Sequence, residues 1–175
     1  ADQLMRRLRV PIVLLRPSAD LIAPVSIHRI LITLDGSPFA EQAVEAAVSL
    51  GAPFGAEYEL LMVLEPPLPI ADPIGMMILP VPAGVSERRA TLAGSYLESL
   101  AARLRKDGYK VKTHVVEGPA AARTIIDQTG VLEADLVAIA SHGEGGFQRL
   151  VMGSVADKVI RGGSHPTLVV RPPAD

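Results

Sequence analysis

The residues best suited to chemistry lie in one glycine-rich stretch, Ala140-Ser141-His142-Gly143-Glu144-Gly145-Gly146, which continues through residues 147–152 to Gly153-Ser154. Glycines let backbone N–H groups approach an anion with no Cβ in the way. A helix opening at Ser154 would add oriented donors and partial positive charge. The Ser154 hydroxyl can cap that helix or bind a phosphate oxygen. A flexible turn ending in a cap explains the same glycines without any ligand, so the stretch alone does not decide. The second feature is Asp35, in Leu34-Asp35-Gly36-Ser37. An acidic side chain leaving the carboxyl end of a strand is placed to accept hydrogen bonds from a ribose or base, and would repel a phosphate. Its alternative role is to cap the following helix, a job it could share with Ser37.

Other reactive side chains make weaker patterns. His142 has no acid partner at a defined spacing, and His28, His114 and His165 share no metal-ligand spacing. Asp35 and Glu144 could help hold Mg2+ on a triphosphate, although nothing requires it. Arg149 reads as a solvated loop charge more readily than as a phosphate contact. No G-x-x-x-x-G-K-[ST] occurs, and no G-x-G-x-x-G follows the first strand. No general base is positioned for efficient hydrolysis, so no catalytic residue is assigned.

The elements that must position these residues alternate. Short apolar runs at 28–34, 57–64, 110–116, 134–140 and 167–171 read as strands. Helical patterns lie between them. Residues 38–51 follow the N-cap Ser37, 85–107 have Ser86 as a candidate cap, 119–130 carry Pro119 in the first turn, and 154–162 open at Ser154. Alternation implies right-handed crossovers and an α/β, doubly wound, five-stranded parallel sheet. In the order 3-2-1-4-5, strands 1 and 4 are neighbours whose helices leave to opposite faces, and ligands bind in that crevice. The Asp35 turn and the glycine loop would flank it, one wall suited to ribose and base and the other to phosphates. That division describes a nucleotide site. The segment 65–84 breaks the alternation with six prolines around an apolar middle, and reads as a tolerated insertion, a lid or a partner surface.

Composition narrows the classes. A net charge of −2 over 175 residues gives no basic field for nucleic acid. Six phenylalanines and tyrosines in all leave a base-binding slot to aliphatic side chains and backbone. The absence of cysteine excludes disulfides and thiolate chemistry, and fits a cytoplasmic location. No apolar run reaches the length a membrane helix requires.

The ends of the chain repeat one another. Residues 1–20, ADQLMRRLRVPIVLLRPSAD, align without a gap to 156–175, ADKVIRGGSHPTLVVRPPAD, with eight identities. A spacing near one domain length indicates tandem duplication. Residues 1–20 are thus expected to be the last helix and strand of a preceding homologous domain, the alternative being an unrelated N-terminal extension. A strand at 12–16 should then pair with 167–171, as two homologous domains, or the two halves of a dimer, pair across their edges.

Over 27–172 the chain resembles the universal stress protein family. ILITLDGSPFAEQAV is similar to that family's first strand and turn, LLMVLEP to its second strand, and EGPAAARTIIDQTGVLEADLVAIASHG to its third and fourth βα units. PTLVVRP resembles its last strand. ATP-binding members carry glycine, two residues, glycine, nine residues, then glycine with serine or threonine. Here that pattern falls on Ala140, Gly143, Gly153 and Ser154, with alanine replacing the first glycine. By the same likeness Asp35 and Val63 match base- and ribose-proximal positions, Thr33 falls where some members have proline, and Ser141 and His142 lie inside the phosphate loop. The resemblance implies an adenine nucleotide α-hydrolase-like fold, ATP as ligand with Mg2+ as its companion, and a regulatory role with at most slow hydrolysis. The alternative is a nucleotide-free dimerisation or scaffolding module.

Overall fold

The apolar runs assemble into one sheet. The computed structural model describes residues 10–15, 26–71, 78–79, 81–141 and 152–171. His142, Gly143, Glu144 and Arg149 lie outside the described residues. In chain order the strands are β1 (Ile12–Leu14), β2 (Arg29–Leu34), β3 (Glu57–Leu64), β4 (Ile70–Ala71), β5 (Ile78–Leu79), β6 (Val111–Glu117), β7 (Leu136–Ala140) and β8 (Thr167–Val170). The helices are α1 (Pro38–Gly51), α2 (Val85–Lys106), α3 (Ala121–Val131) and α4 (Ser154–Gly162).

The main sheet has six strands in the order β1-β8-β7-β2-β3-β6. The expected count of five is therefore corrected. All neighbours are parallel except β1, which lies antiparallel on β8. The reason is the edge itself. The four residues of β8 are Thr167-Leu168-Val169-Val170, all buried, and an apolar edge with unpaired backbone groups is stabilised by a covering strand. A second departure is a two-stranded antiparallel hairpin, β4 with β5, inside the proline-rich segment. Pro69, immediately before Ile70, cannot donate to the ladder and so limits the hairpin on that side.

Helices cover both faces. Ala40, Ala43, Val44 and Ala47 of α1, at helical spacing, pack with Ala93, Leu97, Leu100 and Ala101 of α2 over Ile30, Ile32 and Leu60. On the other face Ala122 and Ile125 of α3 join Ala156 and Val159 of α4 over Leu31, Leu61, Val137 and Ile139. No helix among the described residues is long and apolar enough to cross a membrane.

Helix caps and first turns depart from expectation in three places, although the second and fourth helices begin at Val85 and Ser154 as expected. The N-cap of α2 is Gly84, at φ +80°, and Ser86 lies inside the helix. The chain leaves the proline-rich segment through a left-handed turn, which glycine takes without strain. Pro119 precedes the N-cap of α3, Ala120, and is not in its first turn. Ser154 is the first residue of α4, while Gly153 holds the cap position.

Candidate functional site

The sheet parts where the sequence placed the crevice. β2 pairs with β7 only through Ile30↔Leu136, Leu31↔Val137 and Ile32↔Ala138. Beyond that point β2 follows β3 to Leu34↔Met62, and β7 follows β8 to Ala140↔Val170. The helices after them, α1 and α4, leave to opposite faces. Thr33 sits in the parting and is buried, its Oγ1 donating to the carbonyl of Ala138 at 3.3 Å. Val63, half-buried, pairs with Val116 one register step beyond Leu34↔Met62, at the level of Asp35.

One wall is the turn after β2. Gly36 has φ +86°, a left-handed conformation that turns the chain sharply into α1. Asp35 is exposed, and its Oδ1 accepts from Ser37 N at 2.9 Å and from Ser37 Oγ at 2.6 Å. Ser37 Oγ in turn accepts from Ala40 N at 3.1 Å and caps α1. Asp35 thus buttresses the cap as well as presenting a carboxylate at the crevice. Nearby, Tyr96 of α2 donates to Glu41 Oε1 at 3.1 Å. Burial, with the charges of Glu41 and Asp35, holds the Tyr96 hydroxyl well above the usual phenol range. Arg103 pairs with Glu41 at 3.3 Å on the same wall.

The other wall is built from β7 and α4. Ala140 is a buried strand residue paired with Val170, and its φ is not positive. Alanine in place of glycine therefore carries no backbone strain there. Ser141 N donates to Val170 O, and Gly153 N donates to Ser141 O, each at 2.7 Å. The second bond holds the start of α4 against the end of β7. Gly153, in the cap position of α4, offers no side chain to cap it. The first-turn N–H groups of α4 lie at the positive end of a helix dipole. So Thr33, Asp35, Val63, Ala140, Ser141, Gly153 and Ser154 come to one end of the sheet around the β2–β7 parting.

The helix start on the same face as α4 is filled differently. Ala120 cannot cap α3, and Glu65, just past β3, reaches over so that its Oε1 accepts from Ala121 N at 2.7 Å. Its carbonyl accepts from Arg89 at 2.8 Å, tying α2 to the same corner. Sequence reasoning missed Glu65, since nothing local marks a cap supplied from so far along the chain. Glu65→Ala is expected to destabilise the fold by about 1 kcal/mol, the usual scale of a lost cap, measured by urea unfolding at neutral pH.

Two other polar groupings lead elsewhere. Ser26 Oγ lies 2.5 Å from His28 Nε2, but Asp135 Oδ2 accepts from the backbone N–H groups of His28 and Arg29, at 2.7 and 2.8 Å. Among the described residues no acid orients the imidazole as a hydrolytic triad requires. No group of three or more potential metal ligands occurs among the described residues.

The model of the universal stress protein family matches residues 26–171. The chain belongs to the universal stress protein family. It is 27% identical over 145 residues to universal stress protein MJ0531 of Methanocaldococcus jannaschii, covering 83% of this chain and 82% of that one. It is 30% identical over 144 residues to a universal stress protein of Mycolicibacterium smegmatis, covering 82% of this chain but 45% of the relative's length. Among solved structures, a universal stress protein in complex with cAMP superimposes with a TM-score of 0.61 at 18% identity, covering 83% of this chain and 98% of that one. The fold is that of universal stress proteins, here with a six-stranded sheet.

Proposed function

We propose that this universal stress protein domain is a regulatory module that binds ATP in the β2–β7 crevice, rather than an enzyme. The observation that carries the reading is the glycine-headed start of α4, held at 2.7 Å against Ser141 at the end of β7, beside the point where β2 and β7 part. The N–H groups of the first turn of α4 and the Ser154 hydroxyl suit phosphate oxygens. Asp35 suits ribose and base, and Thr33 and Val63 form the floor. His142 and Gly143, outside the described residues, complete the glycine loop in sequence. Mg2+ would screen the triphosphate charge. Of the superimposed relatives, one was solved with cAMP, a ligand of the same chemical class. The M. smegmatis relative, more than twice the matched length, also fits a parent with two such domains, of which residues 1–20 would be the end of the first. In that reading β1 is a homologous domain's last strand, and the setting is cytoplasmic.

The test is mass analysis of small molecules released on denaturing the purified protein, with thermal unfolding at rising ATP and Mg2+. A ligand at a hundred times its Kd stabilises by about 2.7 kcal/mol, a rise of about 5–10 °C for a chain this size. Released adenine nucleotide or such a rise supports the reading. No nucleotide and no shift at millimolar ATP would favour the scaffolding alternative.

A further inference from the structure

The sheet is open along β6. Among the described residues no strand pairs with the outer side of β6. Two bonds fix which of its backbone groups face outward. Tyr58 N donates to Lys110 O at 2.9 Å, and Gly118 N donates to Leu64 O at 3.1 Å. In a parallel ladder the residues that bond to a given neighbour alternate. Residues 110, 112, 114, 116 and 118 therefore bond to β3. The backbone groups of Val111, Thr113, Val115 and Glu117 point away from the sheet. Arg105 Nε donates to Val111 O at 3.0 Å and blocks the start of this edge. From Thr113 to Glu117 the edge is available to another strand.

A cleft of about 370 Å³ opens at the blocked end. Tyr109 walls it, its ring edge-on to that of Tyr58 at 5.7 Å. Glu57, Glu59, Arg105, Lys110 and Lys112 also line it. Their charges are layered. Lys110 pairs with Glu57 at 3.1 Å, Lys112 with Glu59 at 3.6 Å, and Arg105 with Glu98. The two lysine side chains are 77% and 66% exposed, against 33% and 3% for Glu57 and Glu59 beneath them. A molecule arriving from solvent therefore meets the ammonium groups first. The same charges make β6 a poor partner for itself. A second β6, running antiparallel, would bring its own Lys110, Lys112 and His114 onto the same face.

We propose that the β6 edge binds an extended segment of a partner protein as an added strand, acidic at its carboxyl-terminal end. The segment pairs through its backbone with Thr113, Val115 and Glu117. Antiparallel pairing carries its carboxyl-terminal end toward Lys112 and the cleft, where its carboxylates meet Lys110 and Lys112. The residues before that end lie beside Val115 and Val116, which suits β-branched side chains. Main-chain bonds supply the affinity, and the cleft supplies the choice of partner. The edge lies apart from the β2–β7 parting, with β3 between, and the inference does not rest on nucleotide binding.

The test is fluorescence anisotropy of a synthetic peptide library against the full chain. Inner positions of the peptides carry threonine, valine or isoleucine, and the carboxyl-terminal positions carry glutamate, glutamine or lysine. Glutamate-ended peptides should bind at least about tenfold more tightly than lysine-ended ones at low salt, a margin that narrows as salt rises. Lys110→Glu should erase that preference. Thr113→Pro and Val115→Pro each remove an outward N–H and no bond to β3, a position that an edge strand tolerates. Each should weaken the glutamate-ended peptides about fivefold, the scale of one hydrogen bond. Circular dichroism identifies a variant that does not fold. Should neither fold, methylation of the peptide's own amides carries the test. Methyl groups on one alternate set should abolish binding, and on the other set should leave it unchanged. No binding by any glutamate-ended peptide would overturn the inference. So would equal binding by lysine-ended ones, folded proline variants that bind as before, or methylation that acts alike on both sets. Self-association of the unaltered protein that Thr113→Pro abolishes would assign the edge to a second copy and overturn it as well.

Discussion

Replacing Gly153 with valine is expected to abolish ATP binding while leaving the fold intact. Gly153 has φ −59° and ψ 146°, an extended conformation open to any residue. Valine is a poorer N-cap than glycine by up to about 1 kcal/mol, and losing glycine's freedom in the unfolded chain returns about 0.4–1 kcal/mol. The ligand-free protein should therefore melt within about 4 °C of the unaltered one. Binding has no such compensation. An isopropyl group at the head of α4 stands before the N–H donors that phosphate oxygens would approach. The 2.7 Å bond from Gly153 N to Ser141 O holds the backbone from retreating. Affinity by isothermal titration should fall at least about a hundredfold, or about 2.7 kcal/mol. Unchanged affinity would mean that the first turn of α4 is not the phosphate wall.

The expected result rests on a site whose two walls were readable for different reasons. Asp35 was legible because an acid at a strand end, followed by glycine and serine, is locally unusual. Its carboxylate proves to hold the Ser37 cap, the alternative role that the sequence offered for it. Ala140 drew attention as a missing glycine, a concern that depends on φ. Composition does not reveal φ, and the strand pairing with Val170 answers it. Glu65 was invisible because its partner, Ala121, becomes a neighbour only when β3 and α3 meet.

The same distinction runs through the fold. β2, β3 and β7 were plain as buried apolar runs, since both faces of a parallel sheet are covered. The hairpin of β4 and β5 was hidden in a proline-rich run that does not read as a strand pattern. The caps of α2 and α4 were misplaced by one or two residues, because serine marks a helix start only when the backbone enters at its position. β1 was expected from the repeat, but its effect on the strand count was not. Strand number belongs to the edges of a sheet, which local patterning does not describe.

At the opposite end of the strands, Arg29→Ala is expected to destabilise the protein by about 3 kcal/mol, the low end of the range for breaking a buried ion pair. Glu59 of β3 is the reason. Its side chain is 3% exposed, and it lies 3.6 Å from Arg29 Nε, 3.6 Å from Lys112 Nζ and 2.7 Å from His114 Nε2. Arg29 also reaches Glu57 and Glu133, and donates to the carbonyl of Leu132 at 2.7 Å. Removing the guanidinium leaves a buried carboxylate dependent on two more exposed partners, and leaves the Leu132 carbonyl without that donor. Lys112 and His114 soften the loss, which is why the lower figure is expected. The network is not itself a large source of stability, because Arg29 Nε is buried without a hydrogen-bond partner and desolvating both charges opposes their attraction. It follows that Arg29→Met combined with Glu59→Leu should recover most of the loss. Urea unfolding of the two single variants and the double variant forms a mutant cycle that measures the coupling. A double variant as unstable as the two singles added together would show that Arg29 acts through its backbone-carbonyl contact and not through Glu59.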